Sequence, residues 1–89
     1  MTVDLFGPAR ALAGRPTVEV DVAESTDEAG FIRALAAALP AFVGEIVTPE
    51  RDAFTEPNLL LLDGRRVVAA DMRFGAADRP CVLFLPSGG

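Results

Sequence analysis

The chain has 89 residues, a net charge of −5 and 51% hydrophobic content, enough for one domain with a modest core and too little for a second. A single cysteine excludes an internal disulfide framework, and the absence of histidine removes the commonest metal ligand and the usual general base. Self-contained catalysis is therefore not expected. The acidic balance excludes the basic stripe that a nucleic-acid surface needs, and neither a signal-peptide pattern nor a membrane-length apolar run is present. The expectations are no nucleic acid, no membrane and a cytoplasmic location.

In chain order, Val3-Asp4-Leu5-Phe6 reads as a short strand stopped by Gly7-Pro8. Ala9 to Ala13 allows one helical turn, ended by Gly14. Pro16 to Val22 alternates, with three valines on one face and acids on the other, the mark of a half-buried antiparallel strand that pairs with the first. Ser25-Thr26-Asp27-Glu28 reads as a capping box with Ser25 as the cap and Glu28 reaching back. The helix it opens has Phe31, Ile32, Leu35 and Leu39 on its apolar face, Arg33 toward water, and Pro40 at its end.

Ala41 to Val47 suggests a second short helical piece, and Thr48 to Pro57 an irregular connector. Asn58 to Leu62 is a continuous apolar strand, and Asp63-Gly64 is a strong hairpin signal leading into Arg65 to Val68. Ala69 to Pro80 is turn-rich, and Val82 to Leu85 forms the last strand, so the expected order is ββαβββ. A small sheet with one substantial helix has one covered face, yet residues 59–62 and 81–85 are apolar on both. Two arrangements satisfy that pattern. One has the uncovered face carrying an apolar docking patch close to the tail; the other has residues 41–57 folding over that face, or the strands lying centrally and buried on both sides.

Pro86-Ser87-Gly88-Gly89 follows the last strand directly. Residues 1–85 are expected to form the domain and residues 86–89 a flexible tail. Two glycines without Cβ atoms can thread a narrow channel and carry an α-carboxylate to a buried partner site. The carboxylate of Gly89 is thus the candidate reactive group.

The opening strand with Leu5-Phe6-Gly7-Pro8-Ala9-Arg10-Ala11-Leu12-Ala13-Gly14, then strand, helix, Asp63-Gly64 hairpin and a last strand ending in Pro-x-Gly-Gly, resembles the MoaD/ThiS family of ubiquitin-like sulfur carriers. The opening is most similar to the small subunit of molybdopterin synthase, with Arg10, Leu12 and Gly14 at its motif positions. The resemblance implies an α+β, β-grasp fold: a mixed five-stranded sheet wrapped around one main helix, with the first and last strands as parallel central neighbours. It also implies a carrier that is not itself an enzyme, acting as co-substrate or small subunit of a partner synthase. A ubiquitin-activating-type enzyme would adenylate Gly89 with ATP and magnesium, and a sulfur donor would convert the adduct to a thiocarboxylate. The carrier itself would bind no cofactor and no metal. Gly88 would provide slimness, and Phe84, Leu85 and Pro86 with Leu60 and Leu62 the docking surface. The sulfur acceptor implied is a synthase such as the large subunit of molybdopterin synthase, in molybdenum cofactor biosynthesis.

The tail departs from the family pattern by two residues, a loss of roughly 7 Å of reach. Of the usual Gly-Asp before the last strand only Asp78 is matched. A carrier for cysteine, thiamin-thiazole or another sulfur-containing metabolite, a ubiquitin-like protein modifier and a non-covalent binding module all stay open. Cys81 at the start of an apolar strand reads as a small buried hydrophobe, and the acid pairs Asp27/Glu28 and Glu50/Asp52 as a cap and solvated loop charges.

Overall fold

The computed structural model describes residues 1–86. Apolar alternation sets the first two strands. Val3 and Leu5 of β1 (Thr2–Leu5) and Val18 of β2 (Thr17–Glu19) share the inner face, with Thr2 opposite Glu19 and Val3 opposite Val18 in an antiparallel pair. Between them Pro8 opens α1 (Pro8–Ala13), and Gly14 closes it with φ 73, its N–H donating to the Arg10 carbonyl at 2.9 Å.

The main helix, α2 (Glu28–Ala38), starts later than the capping-box reading requires. Asp27 is the cap, its carboxylate accepting from the Gly30 N–H at 2.9 Å. Ser25 and Thr26 instead form β3 (Ser25–Thr26), which pairs with β6 (Phe74–Gly75) in a separate two-stranded sheet. Two interactions draw Ser25 away from the helix. Its hydroxyl accepts from Arg73 Nε at 3.1 Å and its carbonyl from Arg73 Nη2 at 3.0 Å, while Thr26 is buried. Gly75 is obligatory here, because a Cβ would stand 2.6 Å from the Glu24 carbonyl oxygen.

The Gly30 N–H holds the Asp27 carboxyl below its usual range. That stabilisation is present above the ordinary aspartate pKa and is lost as pH falls through the depressed native value. Asp27→Ala is expected to lower the thermal midpoint by a few degrees at neutral pH. The gap from the parent chain should close on acidification; a gap independent of pH would remove the charge from this account.

Phe31, Ile32 and Leu35 of α2 are buried as the spacing predicts, but Ala36 is buried and Leu39 only half-buried. The Phe31 ring meets Phe74 at 5.6 Å between centroids, tilted by 57°. After α2, only Pro40–Phe42 turns helically, as one 3₁₀ turn, so the second helical piece expected over residues 41–47 is shorter than expected. Phe42, Ile46 and Val47 from this stretch enter the same core as α2. This stretch therefore thickens the covered side and leaves the opposite sheet face open.

The remaining strands are β4 (Asn58–Leu62), β5 (Arg66–Val67) and β7 (Pro80–Phe84). The five-stranded sheet has the order β2-β1-β7-β4-β5, with β7 parallel to β1 and antiparallel to β4. Asp63, at φ 55, and Gly64, at φ 70, form the tight turn before β5.

Candidate functional site

The last strand lies at the centre of the sheet. It carries Leu5 beside Val82 on one side and Leu60 opposite Val82 on the other. Pairing extends past the assigned strands, with the Phe6 N–H, just beyond β1, donating to Val82 O at 3.1 Å and the Leu85 N–H, just beyond β7, to Pro57 O at 3.2 Å. Pro86 has no N–H and ends this ladder. The chain is thus tied down as far as Leu85, and Pro86 is exposed.

Strand alternation then sorts the candidate residues. Leu60 and Leu62 are 1% and 2% exposed and face the helix as core, so they are unavailable as docking residues. A run of four leucines hides which two point inward; the register with β7 decides it. The neighbours Leu59 and Leu61, half-buried on the other face, stand opposite Leu83 and Cys81. Phe6, Val67 and Leu85 extend this outer strip, with Val67 61% and Leu85 60% exposed. Phe6, Leu59, Leu61, Val67 and Leu83 are outer-face apolar positions that sequence reasoning missed. Only the strand register identifies them.

The outer face is graded along β7. At the start of the strand it is polar: Arg79 grips Asp4 with two hydrogen bonds of 2.9 and 2.8 Å, holding the Asp4 carboxyl below its usual range. Beside them Thr2 hydrogen-bonds Glu19, which also draws the terminal ammonium of Met1 to 3.4 Å. Toward the end of β7 the face is apolar. Cys81 sits between the two zones, buried, with its thiol pushed up by burial and by Asp4. It is therefore a poor nucleophile at neutral pH.

Phe84 faces the other way. It lies against Gly7, where a Cβ would come within 3.0 Å of the Phe84 Cβ and where φ is 61, so glycine alone lets the chain turn from β1 into α1 over this ring. Phe84 lines a groove beside α1 instead of the outer strip. Gly88 and Gly89, the candidate tail residues, lie outside the described residues. Among the described residues no cluster of three or more cysteine, aspartate or glutamate side chains is placed to hold a metal ion, and no helix is long and apolar enough to cross a membrane.

A sheet with the first and last strands parallel at its centre, folded around one main helix, defines a ubiquitin-like β-grasp fold. The chain is similar throughout to SAMP1 from Haloferax volcanii, with 26% identity, a TM-score of 0.80 and coverage of 100% of this chain and 98% of that one. A second crystal structure, of H. volcanii small archaeal modifier protein 1, matches with 26% identity and a TM-score of 0.78 over 97% of this chain and 95% of that one. No family model matches the chain, and no curated protein matches its sequence.

Proposed function

We propose that this chain is a sulfur carrier of the MoaD/ThiS kind, with the Gly89 carboxylate as its reactive group. The observation that carries the reading is that the central strand ends at the apolar end of an open sheet face, with the exposed Pro86 directly before Ser87-Gly88-Gly89 in the sequence. An adenylating enzyme of the ubiquitin-activating type grips that strip and receives the tail. The carboxylate, a poor electrophile, attacks the α-phosphorus of ATP, held with magnesium by that enzyme, and pyrophosphate leaves. A sulfide-level donor then displaces AMP from the acyl-adenylate to give the thiocarboxylate.

The acceptor is a synthase such as the large subunit of molybdopterin synthase, in molybdenum cofactor biosynthesis. The carrier acts as its co-substrate, and the acceptor's own groups complete the chemistry. A second reading, a protein modifier joined through Gly89 to a lysine on a target, draws support from the name of the Haloferax relative. Both share the activation step and differ in what displaces AMP.

The test is the C-terminal peptide of protein made together with its activating enzyme and briefly alkylated in the native state. Because burial raises the Cys81 thiol and covers it, Cys81 should alkylate at least about tenfold more slowly than in the unfolded chain. The label should therefore appear on Gly89. A label confined to Cys81, with the activating enzyme demonstrably active, counts against the carrier; an isopeptide-linked Gly89 without thiocarboxylate selects the modifier.

A further inference from the structure

On the helix side of the sheet, away from the outer strip, a groove of about 460 Å³ opens between α1 and the connector. Leu12, Ile46 and Phe84 supply its apolar walls, with Leu12 42% exposed. Glu45 and Glu56 border it, and no arginine is among the residues that line it. The volume lies in the range of ligand-binding clefts. Asn58 also lines the groove. Its amide nitrogen donates to the carbonyl and hydroxyl of Thr55 at 2.9 and 3.2 Å, while its amide oxygen is buried without a partner among the described residues.

We propose that this groove is a second docking surface, which takes an apolar side chain flanked by lysine or arginine on a partner protein's segment. The apolar walls accept the side chain and exclude water, and the two carboxylates attract the flanking cations. Phe84 and Leu85, adjacent in sequence, face opposite sides of the sheet. The chain thereby offers one surface on each side of the base of its tail. The groove is independent of what chemistry Gly89 undergoes and stands whether or not a thiocarboxylate is formed.

The test uses the isotope-labelled full chain and two short synthetic peptides that share a Leu/Phe core, one flanked by lysines and the other by glutamates. The lysine peptide should shift the backbone amides of Leu12, Glu45, Ile46, Asn58 and Phe84, and the glutamate peptide should not. Glu45→Gln with Glu56→Gln should weaken lysine-peptide binding by about threefold to tenfold, the scale of two exposed charge contacts. Glu24→Gln with Asp71→Asn, which removes the same charge elsewhere, should leave it unchanged. Shifts centred on Leu59, Leu61 and Leu83, equal weakening by both double variants, or equal binding of the two peptides would overturn the proposal. So would no shift with either peptide, or displacement of the groove amides when residues 87–89 are removed, which would assign the groove to the chain's own tail.

Discussion

Deleting Gly88 and Gly89 should abolish adenylation by the activating enzyme, with at least about a hundredfold loss of ATP–pyrophosphate exchange, while the thermal midpoint of the domain stays within about a degree. The size of the loss follows from losing the reacting group's position: a carboxylate two residues back stands roughly 7 Å short of where the complete chain delivers it, and misplacement by even about 1 Å can cost on the order of a hundredfold. The small effect on stability follows from where the ladder stops. Leu85 still donates to the Pro57 carbonyl, and every core residue lies before it. A shortened chain that keeps its biological activity would move the protein to the class of non-covalent binding modules. One that unfolds would place the tail in the fold itself.

Leu60→Ala should destabilise the domain by about 2–5 kcal/mol, the range for removing a buried leucine and leaving a partly collapsed cavity. Against a total of about 5–15 kcal/mol for a native protein, that is a large share and could unfold a chain this small. Leu60 is buried in the core and stands opposite Val82 of the central strand. Leu85→Ser should change stability by less than about 0.5 kcal/mol, as is usual for an exposed site. It should instead raise the KM of the activating enzyme for the carrier. Urea unfolding of the two variants, together with steady-state activation of Leu85→Ser, separates core from docking strip. Equal stability losses would contradict the assignment of faces. An unchanged KM would remove Leu85 from the docking surface.

How far the sequence reveals this molecule depends on contrast between neighbouring residues. Val18 and Val20 alternate with Thr17 and Glu19, so the buried face of β2 is legible without coordinates. Leu59 to Leu62 have no such contrast, and apolar residues on both sides of a strand erase the period-two signal. For that reason the sequence does not reveal that Leu60 and Leu62 are the pair buried in the core.

The β3–β6 sheet escaped because two residues per strand carry no periodicity, and because Ser25 and Asp27 are equally good caps on composition alone. The groove escaped for another reason. Leu12, Glu45, Asn58 and Phe84 come from four separated stretches of chain, and folding alone brings them together. The Gly88-Gly89 pair is plain in the sequence, and the role proposed for it rests on the resemblance carried by the opening of the chain.

The central place of β7 also governs how the domain bears load. A pull applied at Pro86 runs along a strand bonded to β1 on one side and β4 on the other. Both ladders then carry the tension in shear, so their bonds must yield together and cannot unzip one by one. Anything joined beyond Pro86 is therefore anchored to a strand held by a neighbour on each side.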